Sequence, residues 1–581
     1  MVDLTKKPFN LNEEEIEWVN KTYESMTLDE KIGQLFILLK PTPQVDENQL
    51  NDLINKSHLG GFRWQNLDSE GAYTQNALLQ KFSKVPVLVA GNCDDGGNGV
   101  SPTGTFVATP VECGASNNIE HSYNLGFVSS KEASALGVNI LFNPVVDVYK
   151  NWRNTIVNTR AFSDDPDKVI KHARSYIKGV KDANSNMAVT IKHFPGDGVE
   201  ELDQHLSLAV NTLDEEEWDN SFGKVYKTLI EEGAEAVMIG HIALPSKSKK
   251  YIKDYSLKDL LPATLDKTLL EDVLRGELGF NGLIVTDASH MAGLSAMQKR
   301  SEYVPNTIIA GCDMFLFAND IEEDISYMKA AYHDGRLTEE RLHDALFRIL
   351  GMKAHLKLYK EEVRFPPRDN LKYVGCDEFK DFKVKAAEDA ITLVKDTRNY
   401  LPLDVKKQKR CYLVYMGNIP NSRGYKGDPV KNVLIEELQN AGFEVEVSDN
   451  FHDLEVQNGP SFMNLIRMMT MEKREVFKSK HDFVLLVVNV KGYAQENTVR
   501  LRWSCNHSKE LFWYNEEVPT IAMSLNYTNH LIDIAPVHTY INAYSPDREV
   551  IRVAISKLKG ESPFKGEAQE NVFCDRIDTR L

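Results

Sequence analysis

Two stretches of this chain gather side chains whose types and spacing could do chemistry. Residues 192–205, KHFPGDGVEELDQH, hold Lys192, His193, Asp203 and His205. Pro195, Gly196 and Gly198 interrupt regular structure and allow a turning loop. Asp203 and His205 are two positions apart, so they face opposite ways in a strand but can meet in a loop. A carboxylate bonded to one imidazole nitrogen fixes the tautomer and raises the basicity of the other. Such a pair exchanges protons near neutral pH. Residues 285–293, VTDASHMAG, place Asp287 after an apolar run and before small residues. A carboxylate there can attack an anomeric carbon and form a covalent intermediate, or it can hold a metal or a base. Each motif alone also has a plainer reading, an incidental Asp and His in a surface loop and a common Asp at a strand end.

Groups this far apart in sequence need a scaffold that delivers them to one rim. From residue 32 to about 320, eight short apolar runs alternate with helix-like segments. The runs are residues 32–40, 60–65, 85–92, 138–148, 187–194, 236–244, 282–290 and 313–320. Most are continuously apolar, as parallel strands buried on both faces are. Helical spacing fills Asp167–Lys181, Glu215–Glu232 and Lys267–Glu277. An amphipathic helix near Glu13–Glu24 and a capping box at Thr27 and Glu30 precede them. The alternation predicts an α/β chain whose residues 1–365 form a (β/α)8 TIM-like barrel. Reactive groups in that architecture lie at the C-terminal strand ends, and here those ends are polar: Asn92, Asp94 and Asp95, Asp147, Lys192 and His193, His241, Asp287. His241 is more often a satisfied structural histidine than a catalyst.

Pro366, Pro367 and Gly375 mark residues 366–376 as a linker. Residues 377–581 then predict a smaller α/β open-sheet domain. It has a helix near Lys380–Lys395 and strands at residues 411–417, 443–448, 482–490, 520–527 and 538–545, before a polar, irregular end. It carries no compact acid/base group, so a structural or homodimer-forming role is expected.

At 581 residues the chain is too long for one ordinary core. The formal net charge of −17 argues against nucleic acid or an anionic membrane as partner. No signal-peptide core opens the chain, and no run approaches the ~18 apolar residues of a membrane span. Seven scattered cysteines without CxxC spacing fit a reducing cytoplasm and argue against a cysteine zinc site. No cofactor and no metal are expected.

At the two reactive motifs the sequence resembles glycoside hydrolase family 3, in its bacterial β-N-acetylglucosaminidase branch. That branch carries Lys-His-Phe-Pro-Gly followed by Asp-x-His, which residues 192–196 and 203–205 match in order and spacing. Its nucleophile motif, an apolar strand ending in Thr/Ser-Asp and followed by Met, is matched by Val285–Met291. Residues 138–165 resemble its Asn-Pro-Val-x-Asp and Arg-x-Phe segments, and residues 386–403 resemble its second domain. The resemblance implies Asp287 as nucleophile and His205, backed by Asp203, as general acid/base. It implies sugar contacts from Lys192, His193 and Arg160, and from an acidic residue after the third strand. There GNCDDGG stands for the usual Asp-Gln-Glu-Gly-Gly, which favours Asp94 with Asp95 second. Asp197, Val199 and Glu200 replace the usual His, Asp and Thr of the acid/base loop. Met291 follows the nucleophile, and Trp152, beside Arg153, offers a face on which a sugar could stack. Trp64 is as easily a core residue.

The activity so implied is that of a retaining, exo-acting β-N-acetylhexosaminidase that releases terminal β-linked GlcNAc from a small carbohydrate. Some relatives in the branch accept phosphate instead of water, so a β-N-acetylglucosaminide phosphorylase is an alternative, as is a β-glucosidase. Three readings from other classes compete. Lys192 could form a Schiff base; His193, His205, Asp197 and Asp203 could converge on a metal; the scaffold could be a degenerate carbohydrate-binding homologue.

Overall fold

The computed structural model describes residues 2–40, 45–65, 67–417, 428–492, 494–505 and 509–581. Each of the eight apolar runs contains a strand: β1 Phe36–Lys40, β2 Gly61–Trp64, β3 Leu88–Gly91, β4 Ile140–Leu141, β5 Ala188–Phe194, β6 Ala236–Ile239, β7 Leu283–Ala288 and β8 Met314–Leu316. They close into a parallel barrel in the order β1-β8-β7-β6-β5-β4-β3-β2, and β2 pairs back onto β1. Phe36, Phe62, Ile140, Ile191, Val237, Val285 and Phe315 are fully buried in it. This is why the runs lack polar alternation: both faces of each strand are covered.

The helices between the strands follow their sequence signals. Asn12 and Thr27 each close both halves of a capping box, over Glu13–Ser25 and Leu28–Gly33. Pro166–Ala183 starts on an Asp165 cap with proline in its first turn, where a missing N–H costs nothing. The Glu215–Glu232 segment widens into a π-turn at Asp219–Gly223, and Thr268–Glu277 is π-helical throughout.

The second sheet runs β9 Thr392–Asp396, β10 Arg410–Gly417, β11 Glu444–Val447, β12 Phe483–Asn489, β13 Thr520–Ser524 and β14 Thr539–Asn542. Its order is β9-β14-β13-β12-β10-β11, with β9 antiparallel to β14 and the other pairs parallel. Leu413, Leu485 and Ile521 face one buried cluster, and Val414, Leu486 and Ala522 face another on the opposite side. The helix expected over 380–395 is Asp377–Ala390, and Thr392–Asp396 is strand. The β-branched Ile391, Thr392 and Val394 favour an extended edge that the antiparallel partner Thr539–Asn542 captures. Helices at Pro429–Asn440, Phe451–Asn458, Phe462–Met469, Arg474–Lys480 and Arg548–Leu558 had no counterpart in the sequence reading.

The chain divides into two compact units, Met1–Pro110 with Ile119–Lys380, and Val111–Asn118 with Asp381–Leu581. A boundary drawn at 366–376 alone omits Val111–Asn118. Val111 and Ala115 pack with Ala390 and Tyr544, and the Glu567 N–H donates to the Ala115 carbonyl at 2.9 Å. Among the described residues no helix is long and apolar enough to cross a membrane.

Candidate active site

The C-terminal rim of the barrel holds the polar residues that the strand ends foreshadowed. β5 is buried along all seven residues and carries Lys192 and His193 near its end. His193 is held twice by Asp147: its backbone N–H donates to Oδ1 at 3.1 Å and its Nδ1–H to Oδ2 at 2.8 Å. That fixes the ring and turns Nε2 toward Asp287 Oδ2, 3.9 Å away and beyond hydrogen-bond range. The Asp197 N–H also donates to Asp147 Oδ1, at 2.8 Å, so one carboxylate organises the strand end and the turn after it.

Asp94, after β3, is a second charge centre on this rim. Arg160 Nε donates to its Oδ2 at 2.8 Å, Asn143 Nδ2 donates to Oδ1 at 2.5 Å, and Lys192 Nζ lies 3.6 Å from Oδ1. Burial opposes ionising Asp94, but Lys192, Arg160 and Asn143 overcome it and hold the carboxyl far below the usual range. Burial lowers Lys192 to about 8 even though Asp94 pulls the other way. For Arg160, burial works against the charge and Asp94 prevails, keeping the guanidinium protonated. Asp94, not Asp95, makes these contacts; the Asp95 carbonyl instead accepts the Val107 N–H at 2.8 Å.

Asp203 and His205 meet in the loop, as their types suggested. Asp203 Oδ1 accepts the His205 backbone N–H at 2.8 Å and its Nδ1–H at 2.6 Å, which leaves Nε2 for proton exchange. Burial disfavours a protonated ring, yet the Asp203 bond and charge, helped by Asp287, raise its pKa above the ordinary value. The loop is stapled to the segment after β4. Lys150 and Asn151 donate to the Gly198 carbonyl at 3.0 and 2.8 Å, and Asn154 Nδ2 donates to the Glu200 carbonyl at 2.8 Å. Gly198 has φ +105°, and a Cβ there would sit 2.5 Å from the Val148 carbonyl, so glycine is required on both counts.

Asp287 ends β7. Its Oδ1 accepts the Ala288 N–H at 2.7 Å. Burial favours its neutral form, but nearby histidines, His193 first, hold the carboxyl below its ordinary value. His241 is satisfied at both nitrogens, with Nδ1 paired to Thr264 Oγ1 and Nε2 to the Ala288 carbonyl, each at 3.0 Å. Burial lowers its pKa to about 4, so the ring is neutral, donating from Nε2–H and accepting at Nδ1. The reading of His241 as a structural histidine therefore fits, and the backbone it holds is that of Ala288, the residue after Asp287.

Other expected positions fall differently. Met291 is buried, and its N–H donates to the Ala288 carbonyl at 3.1 Å. The Trp152 ring is buried with the Arg153 guanidinium 4.3 Å from its centroid, in the segment that staples the Asp203–His205 loop. Trp64 is buried with its ring 4.6 Å from that of Phe62, a core position. The set His193, His205, Asp197 and Asp203 does not converge: each histidine is bonded to a different aspartate, and among the described residues no three His, Cys, Asp or Glu side chains are grouped to hold a metal.

Sequence reasoning gave no role to Asn143, Gln204 or Arg63. Asn143 had a signal in its Asn-Pro segment. Gln204 lies between the two catalytic candidates, fully buried, with Nε2 donating to Asp197 Oδ2 at 3.3 Å and Oε1 accepting the His241 N–H at 2.7 Å. Arg63, inside an apolar strand, carried no motif.

Comparison with known proteins points to one family. Residues 27–352 match the family model described as the glycosyl hydrolase family 3 N-terminal domain. A beta-N-acetylglucosaminidase/beta-glucosidase of Cellulomonas fimi is 35% identical over the full length of both chains. The solved structure of a beta-glucoside phosphorylase, BglX, bound to 2FGlc is 35% identical with a TM-score of 0.87, covering 97% of this chain and 98% of that one. A family 3 beta-N-acetylglucosaminidase from Paenibacillus sp. str. FPU-7 shares the fold at 22% identity and a TM-score of 0.74, over 94% of this chain and 98% of its own.

Proposed function

Because this chain belongs to glycosyl hydrolase family 3, we propose that it is a retaining β-N-acetylhexosaminidase that releases a terminal β-linked GlcNAc from a small oligosaccharide or glycoside. The observation that carries the mechanism is the Asp203–His205 bond at 2.6 Å, in one rim with an ionised Asp287. Protonated His205 donates its Nε2 proton to the glycosidic oxygen while Asp287 attacks the anomeric carbon. The leaving group departs neutral, and an ester joins the sugar to Asp287. Neutral His205 then takes a proton from the incoming acceptor, whose oxygen displaces the Asp287 carboxylate from the opposite face. Two inversions give net retention. In this reading Lys192, His193, Arg160 and Asp94 bind the ring hydroxyls, and the contacts described above support it by holding each of them in place. Met291 buttresses the turn after Asp287, and Trp152 lies in the segment that supports the acid/base loop.

A second reading takes phosphate as the acceptor, giving a sugar 1-phosphate. The full-length similarity to a beta-glucoside phosphorylase favours it. A histidine base also repels an incoming anion less than a carboxylate would. That similarity, and the double name of the C. fimi relative, equally support glucosides as substrates. The seven free cysteines suit a reducing cytoplasm.

The test is a panel of aryl β-N-acetylglucosaminides and β-glucosides, each with and without inorganic phosphate, with products identified. Retained configuration, preference for the N-acetylated series and free GlcNAc support the reading. Sugar 1-phosphate selects the phosphorylase, and preference for glucosides overturns the N-acetyl assignment. Turnover retained in Asp287→Ala would remove the nucleophile.

A further inference from the structure

Every cation around Asp94 except one is matched to a carboxylate. Arg160 bonds Asp94 at 2.8 Å, and Lys192 lies 3.6 Å from it. Asn143 takes the remaining room on Oδ1. The exception is Arg63, near the end of β2. Among the described residues its guanidinium makes no hydrogen bond and no ion pair.

Its position follows from the strand. Phe62 and Trp64 share one face of β2, with their rings 4.6 Å apart, so Arg63 points to the other. Arg63 pairs in register with Leu39 of β1, and its guanidinium carbon lies 5.9 Å from the ring of Phe317, which follows β8. β1 stands between β2 and β8, so the side chain reaches past a whole strand along the rim. The charges of Asp94 and Asp287 both favour its protonated form. Burial nevertheless lowers its pKa, because these carboxylates compensate it incompletely.

A half-buried guanidinium that faces the cleft with only an aromatic ring beside it keeps its N–H donors free for something that binds. The planar fork of donors suits an oxyanion far better than a neutral hydroxyl. Asp94 cannot supply that partner, since its oxygens are already shared among Arg160, Asn143 and Lys192. We propose that Arg63 is an oxyanion subsite of this cleft and takes a phosphate group, carried either on the sugar or by the free acceptor. The proposal rests on the retaining-glycosidase reading of the same site and adds the group that the cleft selects.

Arg63→Met and Arg63→Lys test it, with melting temperatures checked first. The methionine removes an unpaired charge, so it is expected to fold. Three measurements follow: kcat/KM for 4-nitrophenyl β-glucoside, kcat/KM for its 6-phosphate ester, and turnover of dinitrophenyl β-glucoside and β-N-acetylglucosaminide against inorganic phosphate. If the phosphate is on the sugar, the parent prefers the ester and Arg63→Met cuts that preference by about 10²-fold, with partial recovery in Arg63→Lys. If it is the acceptor, turnover of the parent saturates with phosphate and yields sugar 1-phosphate. Arg63→Met then raises the half-saturating phosphate by about 30-fold or more, while the burst of dinitrophenol without phosphate persists. The proposal is overturned if the parent is indifferent to both forms, or if Arg63→Met lowers neutral and phosphorylated substrates by the same factor. A parent with no burst on any aryl glycoside would fail the glycosidase reading instead. Arg63 is then judged by equilibrium dialysis of inorganic phosphate, which the parent retains and Arg63→Met does not if the subsite is real.

Discussion

The Gln204 carbonyl accepts the Gly293 N–H at 3.0 Å, and this bond joins the Asp203–His205 loop to the turn that follows Asp287. The neighbouring bond does the same, from the Ala292 N–H to the His205 carbonyl at 3.0 Å. His241 closes a ring, with its N–H on Gln204 Oε1 and its Nε2 on the Ala288 carbonyl. The separation of Asp287 from His205 is thus set by backbone bonds between elements that are more than 80 residues apart in the chain. A fixed spacing is what the proposed double displacement needs, because in it both groups act on the same bond.

Gly293 is the point where this ring has no slack. A Cβ there would lie 2.7 Å from the Gln204 carbonyl and 3.0 Å from both His241 Cβ and the Ser207 carbonyl. Gly293→Ala must therefore push the acid/base loop away from the nucleophile. The expected result is a fall in the glycosylation rate of about 10²-fold, with KM changed far less. Burst kinetics on an activated aryl glycoside measure it. An unchanged burst rate would show that the loop position tolerates the displacement.

Asp203→Asn removes the charge that raises the pKa of His205. Glycosylation needs the protonated imidazole, so activity falls as pH rises through that pKa. Without Asp203 the burial of His205 dominates and its pKa drops. The basic limb of kcat/KM should move to lower pH, and kcat should fall by roughly 10²–10⁴-fold. Substrates with very good leaving groups, which need no acid, should lose much less in glycosylation. A basic limb that stays in place would assign the acid elsewhere.

Much of this was legible before the structure, for physical reasons. All eight barrel strands announced themselves because double burial leaves apolar runs with no alternation, and β5 and β7 carry their polar ends in sequence. Asp203 and His205 were readable because two neighbours in a turning loop can meet without help from the fold. Arg63 and Gln204 were not. A charge inside an apolar strand looks like an exposed strand position until closure of the barrel turns it inward. Gln204 owes its role to Asp197 and His241, which only tertiary folding brings to it. Thr392–Asp396 was misread for a similar reason, since its partner strand lies about 145 residues downstream. Val111–Asn118 gives no local sign that its apolar face belongs with Ala390 and Tyr544.

Lys192 carries a second pH dependence. Burial lowers it to about 8, against the pull of Asp94, so it loses its proton just above neutrality. The neutral amine no longer offers a charged donor to a sugar hydroxyl, and KM should rise as pH passes 8, by about tenfold. His205 affects kcat over its own range, so the two are separable by following KM and kcat independently. In Lys192→Met, KM should be high and flat across the same range. A parent KM that stays constant from pH 7 to about pH 9 would contradict this role.

Asp197 links pH to stability. Burial, reinforced by the charge of Asp147, raises its carboxyl to about 6, whereas an unfolded aspartate titrates near 3.9. Between about pH 4 and pH 6 the native state therefore binds more protons than the unfolded one, and stability falls as pH rises through that window. The total is about 3 kcal/mol, fully lost at pH 7 and restored below pH 4. Asp197→Asn has no such slope. It carries a pH-independent cost, because its amide nitrogen meets the Gln204 donor that now bonds Asp197 Oδ2 at 3.3 Å. The variant should thus be clearly less stable than the parent at the acid end, and the gap should narrow by that amount toward pH 7. Urea unfolding of both proteins across the window measures it. Parallel stability curves would mean that Asp197 is already ionised throughout, and that Asn154 and Gly198, which donate to its Oδ1 at 2.7 Å, suffice to hold the charge.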